Sequence, residues 1–172
     1  MSQDPPIEGA LAMPEGGPDY SQRQAGRLPG LGNHLAIVVT LHLLTEFLLD
    51  RLIKARSPTP ARILDDSRTF TYSVKLVLVR NMGLIEDEMF RNLDALRKLR
   101  NDYAHELDLD LPAKLNQRFA PSFSEDVIRQ VGDDPESAGI GALMTIRDLT
   151  FGQLHTVCAR LGVDLEYSSS VS

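Results

Sequence analysis

Leu96-Arg97-Lys98-Leu99-Arg100-Asn101-Asp102-Tyr103-Ala104-His105 is the stretch that decides how this chain is read. Leu96, Leu99 and Tyr103 fall three and four residues apart, and Met89 and Leu93 carry that spacing backwards. One apolar stripe therefore runs along a helix from about Asp87 to His105. At about 100° per residue, Arg100 sits about 40° from the centre of that stripe, where a guanidinium has to be paired or hydrogen-bonded. Arg97, Asn101 and His105 follow at four-residue steps and form a polar ridge on another side. The helix ends in Arg-Asn-x-x-Ala-His, a fixed cation beside a group that titrates near neutrality. Such a pair suits work on phosphate, and it suits a structural ion-pair network equally.

Working back, Glu86-Asp87-Glu88 places acids where a helix N-terminus favours them. Gly83 is the expected C-cap of a preceding helix from about Thr71 to Met82. The most apolar part of the chain, Leu35 to Ile53, is expected as a core helix buried on more than one side, with Asn33 as its N-cap. Ser57-Pro58-Thr59-Pro60 stops it. His42, Thr45, Glu46 and Asp50 interrupt it, which a membrane span tolerates poorly. His42, Glu46 and Asp50 make a stripe at i, i+4, i+8. Glu46, flanked by leucines and phenylalanine, calls for a cation, and Arg100 is the expected one. The alternative is that Glu46 and Asp50 face water and pair with Lys54 and Arg51.

Working forward, Leu107, Leu109 and Leu111 alternate with acids and imitate a strand, but the sequence offers no partner strand. Short helices are expected over Pro112–Arg118 and Ser124–Val131, with a turn at Gly132-Asp133-Asp134-Pro135. A last helix is expected from Pro135 or Glu136 to Leu161, with Gly139 and Gly141 as its weak points and Gly162 as its cap. Residues 1–31 carry Pro5-Pro6, Pro14, Gly16-Gly17-Pro18 and Pro29-Gly30 without any period, which predicts a flexible tail. Residues 32–165 form the expected helical domain, and residues 166–172 are expected to fray. The fold class is all-α.

The chain has 172 residues, enough for one domain with a real core, and a formal net charge of −6. A nucleic-acid-binding surface is usually basic, so direct DNA binding is not expected. Cys158 is the one cysteine. It permits no internal disulfide, and with no signal-like N-terminus it fits a cytoplasmic setting. It is read as a packed, inert thiol. His34, His42 and His155 lack metal-ligand spacing, so no metal is expected. No Gly-rich phosphate loop or nucleophile elbow appears, and no cofactor is expected. Arg147-Asp148 reads as a solvated helix face, and His155 as a core-edge histidine.

Two segments then carry a resemblance. Phe70-Thr-Tyr-Ser-Val-Lys-Leu-Val-Leu-Val-Arg-Asn-Met-Gly-Leu-Ile-Glu86, followed by Leu96 to His105, resembles the mannitol operon repressor-like family, a branch of the all-helical HEPN superfamily. Arg100, Asn101 and His105 match the superfamily hallmark in order and spacing. Gly83-Leu84-Ile85 matches the junction before the motif helix, and Glu46 is similar to a glutamate on the family's first helix. The resemblance covers about Leu35 to Leu107. It implies a HEPN-like bundle, usually dimeric, and two kinds of function.

In the repressor-like branch the implied role is regulation of gene expression through a protein or RNA partner. In other members the motif cuts RNA without a metal, often as a toxin or defence protein. His105 would then be the general acid or base. Arg100 would stabilise charge on the phosphate, Asn101 would orient it, and Glu46 and Arg97 would support them. Charge favours the regulator. From Glu86 to Asp110 eight acids stand against Arg91, Arg97, Lys98 and Arg100, a poor surface for a polyanion. The expected protein is thus a cytoplasmic regulator, a homodimer through the first helix and the motif helix. A metal-independent endoribonuclease is the alternative.

Overall fold

A computed structural model describes residues 18–106 and 109–163, with side chains from residue 34 onward. The expected tail as far as residue 17, the Leu107–Asp108 step and the expected frayed end lie outside them. The described residues are helices joined by short turns, with no strand among them. They are α1 (Pro18–Arg56), α2 (Pro60–Leu64), α3 (Tyr72–Asn81), α4 (Asp87–His105) and α5 (Leu111–Phe119). After a 3-10 turn at Ala120–Ser122 come α6 (Glu125–Asp133) and α7 (Ser137–Arg147). A π turn at Asp148–Gly152 leads into α8 (Gln153–Arg160).

Local chemistry sets most boundaries. Gly83 and Gly162 alone have positive φ among the described residues, 68° and 65°. Each closes a helix with a six-to-one bond, Leu84 N–H to Val79 O at 3.2 Å and Val163 N–H to Cys158 O at 2.9 Å. The Asp110 carboxylate accepts the Ala113 N–H at 3.0 Å and starts α5, and the Ser124 hydroxyl accepts the Val127 N–H at 3.4 Å and starts α6. Asn33 does not start a helix. It lies inside α1, which begins at Pro18 and runs through Pro29. A proline at the first helical position loses no hydrogen bond, and one in the interior loses a bond without necessarily ending the helix. α7 likewise passes through Gly139 and Gly141. The interruption expected at those glycines falls instead at the π turn, where the Thr150 hydroxyl donates to Ile146 O at 2.6 Å.

α1 and α4 run antiparallel and tie two apolar clusters together. At one end Val38 and Leu41 meet Leu96, Leu99 and Tyr103, closed over by α5, α6 and α7. At the other Leu48, Leu49, Leu52 and Ile53 meet Leu93, Leu76 and Val79, closed over by α2 and α8. α3 lies along the second half of α1 and turns back at Gly83 into α4. From His34 onward α1 is therefore buried on the faces that meet α3, α4, α7 and α8. Cys158 is buried with a free thiol, and its burial pushes its pKa up to about 11. Among the described residues no helix is long and apolar enough to cross a membrane.

Candidate functional site

α3 begins beside the middle of α1, so a polar patch forms where α1, α3 and α4 meet. The His42 ring stacks on the Tyr72 ring, with centroids 4.2 Å apart. The Tyr72 hydroxyl lies 3.1 Å from the Thr45 hydroxyl. Burial pushes the Tyr72 phenol far above its usual pKa, so it stays a neutral hydrogen-bonding group.

The Glu46–Arg100 bridge expected from sequence does not form. Lys75, on the buried face of α3 with Tyr72, Leu76 and Val79, supplies the cation. Its Nζ donates to Glu46 Oε1 at 3.1 Å and lies 2.8 Å from Asp50 Oδ1. The Asp50 contact is a charge contact, lying off the angle a hydrogen bond needs. Lys75 lies nearer than Arg100 because α3 occupies the flank of α1 that carries both carboxylates. Burial raises Asp50 above the usual carboxylate range, against the opposing pull of Lys75. Desolvation would lower Lys75, but the pull of Asp50 and Glu46 together outweighs it and raises Lys75 in turn.

The motif residues separate. Arg97 turns to Asp94, with Nη2 2.8 Å and Nε 2.9 Å from Oδ1. Lys98 closes on the other oxygen of Asp94 at 2.8 Å. These two cations overcome the burial of Asp94 and hold it below the usual carboxylate range. Arg100 is half-buried, and Nη1 donates to its neighbour Asn101 Oδ1 at 3.2 Å. No carboxylate pairs with Arg100 among the described residues. His42 feels the charges of several of the candidates. Its burial lowers its pKa, Glu46 opposes this, and the nearby Arg100 and Arg97 add to it. His105 is exposed. α4 is unbroken to His105, so Arg100 and His105 are about 140° apart around the axis and about 7.5 Å along it.

The acids around the motif are engaged as well. Arg118 of α5 makes a two-pronged bond to Asp102, Nε to Oδ2 and Nη2 to Oδ1, both 3.2 Å. Lys114 lies 3.8 Å from the same carboxylate and 2.6 Å from Glu106. Asp102 and Glu106 therefore fasten α5 to the end of α4, and Asp110 is spent on its cap. The sequence reading missed Lys75, Tyr72, Asp94 and this clamp. The signal for Lys75 was present: Tyr72, Lys75, Leu76 and Val79 share a helix face, and a lysine on a buried face needs acids.

Among the described residues no three His, Cys, Asp or Glu side chains are grouped so as to hold a metal ion. Compared with known proteins, the chain matches no family model, no curated protein and no solved structure.

Proposed function

We propose that this chain is a regulator of gene expression, working in the cytoplasm by binding a protein partner through the α1–α4 face rather than by cutting RNA. The placement of Arg100 and His105 on an unbroken helix carries this reading. General acid–base cleavage needs the histidine and the charge-stabilising arginine on one phosphate. Here Arg100 bonds to Asn101, while His105 lies on a different side of α4. Incubating the purified chain with structured and single-stranded RNA in EDTA tests the reading. Intact RNA is expected. Cleavage that disappears in His105→Ala, with the fold kept, would overturn it.

A second reading keeps the nuclease. It is favoured by the exposure of His105 and by the lack of a carboxylate on Arg100. In it a homodimer, joined by a two-fold axis along α4, would set His105 of one copy against Arg100 of the other.

A further inference from the structure

The start of α3 is held to α1 through His42 and its neighbour Thr45. The His42 ring lies on the Tyr72 ring, with centroids 4.2 Å apart and planes 28° from parallel. The His42 backbone carbonyl accepts the Thr45 hydroxyl at 2.9 Å. That spends the one hydrogen of Thr45, so the Tyr72 hydroxyl is the donor in the 3.1 Å bond between the two. Tyr72 opens α3, and its N-cap, Thr71, makes no side-chain cap bond. The first turn of α3 therefore relies on Tyr72 for its place on α1, and Lys75 fastens the chain further along.

The imidazole at the centre of this arrangement can take up a proton near neutrality. On α1 it has one anion in reach, Glu46, four residues on and on the same side of the helix. Lys75 occupies Glu46 Oε1, and Glu46 Oε2 has no partner among the described residues. Asp50, a further turn along, faces Lys75. α3 presents Tyr72 and Lys75 on this side. On α4, Arg97 and Arg100 oppose a positive charge on the ring, and Asp94 is already paired with Arg97 and Lys98. The face of a neutral phenol attracts a cation weakly, and a free carboxylate oxygen attracts it more strongly. A neutral His42 therefore keeps its stack on Tyr72, whereas a charged one gains by turning to Glu46.

We infer that His42 is a proton-operated latch: neutral, it holds the first turn of α3 against α1, and protonated, it turns to Glu46 and lets that turn open. Release bares Tyr72 and Leu76, which are buried while α3 is docked. Burial lowers the pKa of the docked ring from 6.5. The released form then binds a proton more readily, and docking weakens as pH falls through 6.5. Asp50 has the opposite sign. Burial raises it, so acid tightens docking through that carboxylate and does not imitate release. Tyr72 and Lys75 are raised from values already far above neutrality and keep their charge states across this range. The latch stands independently of the regulator reading.

Native-state amide exchange of the full chain, followed by NMR and corrected for intrinsic exchange rates, tests this. The Lys75, Leu76 and Val77 amides report on the start of α3, and those of α5 serve as the internal reference. Between pH 7.5 and 5.5 the opening constant of the α3 amides should rise about three- to tenfold relative to α5, tenfold being the most that one group of ordinary pKa 6.5 supplies over that interval. The His42 ring should titrate below 6.5 in the same sample, which tests the natural chain without any substitution. His42→Phe keeps a ring on Tyr72 and should remove the rise. The proposal is overturned if α3 opening does not change with pH, or if α5 opens to the same extent. It is also overturned if the His42 ring titrates at or above 6.5, or if the rise survives in His42→Phe. None of these results depends on RNA cleavage or on a change in gene expression, so the regulator reading stands or falls separately.

Discussion

Lys75 Nζ lies 3.1 Å from Glu46 Oε1, and this contact is what releases Arg100 from a structural role. One lysine serves two carboxylates, Glu46 and Asp50, so α3 is locked to α1 at the point where the polar patch begins. Arg100 is left with Asn101. The arginine that the sequence suggested as a core clamp is a half-buried group with donors to spare.

Stability should follow that division. Lys75→Met leaves two carboxylates close together without a cation. Breaking a fully buried pair costs about 3–5 kcal/mol. Glu46 and Asp50 keep 31 % and 34 % side-chain exposure, so solvent screening reduces the expected loss to about 2 kcal/mol. Arg100→Ala should cost under about 1 kcal/mol, since no buried charge is orphaned. Urea melts of both variants check the order. A larger loss for Arg100→Ala would mean that Glu46 leans on Arg100 after all.

Gly139 is a packing glycine. A Cβ there would lie 2.9 Å from His34 Cε1 and 3.0 Å from His34 Nε2, with Leu111 Cδ2 at 3.3 Å. His34 is buried, so its ring would have to shift against the side chains packed around it. Gly139→Ala should destabilise by about 1–3 kcal/mol despite the better helix propensity of alanine. A double-mutant cycle with His34→Ala should recover part of the loss. Additive losses would show that the two residues do not press on each other.

His42 predicts a pH effect with a definite sign. Its folded-state pKa is lowered from 6.5, chiefly by burial. Below pH 6.5 the unfolded chain binds a proton that the folded chain refuses, so stability falls as pH drops through that value. The loss ends once the folded-state pKa is passed, and above pH 6.5 the group contributes nothing. The slope is at most about 1.4 kcal/mol per pH unit. His42→Phe keeps a ring against Tyr72 and does not titrate. Between pH 7.5 and 5.5 the natural chain should lose more stability than this variant, and equal losses would remove His42 from the account.

The Asp102–Arg118 clamp should hold the α4–α5 junction. Asp102→Asn keeps the shape and removes the charge that Arg118 and Lys114 share. A loss of about 1–2 kcal/mol is expected, as for a charge-assisted bond that is partly shielded from water. Amide exchange should quicken in α5 more than in α3. Uniform quickening would place the effect elsewhere.

How much of this was legible depends on whether the cause was local. α4 was readable to its ends, because leucine spacing, an acidic first turn and the Gly83 junction lie within one short segment. The all-α class followed from the same periodicity. The partner of Glu46 was not legible, since it depends on which helix lies on which flank of α1. Lys75 sits among valines and leucines, and its role emerges only once α3 is seen along α1. The start of α1 was misread because proline and glycine were taken as breaks. Pro18 is instead placed where a helix accepts it. Gly139 was read as a weak point, whereas His34, distant in sequence, is what requires it.

We propose that Arg100 and Asn101 serve binding and that His105 does not cut RNA. Sequencing RNA 5′ and 3′ ends in cells with and without the chain tests it most directly. Altered levels of a restricted set of transcripts are expected, with no new cyclic-phosphate ends and the same profile for His105→Ala, whose side chain is exposed. New cyclic-phosphate ends that vanish with His105→Ala would contradict it.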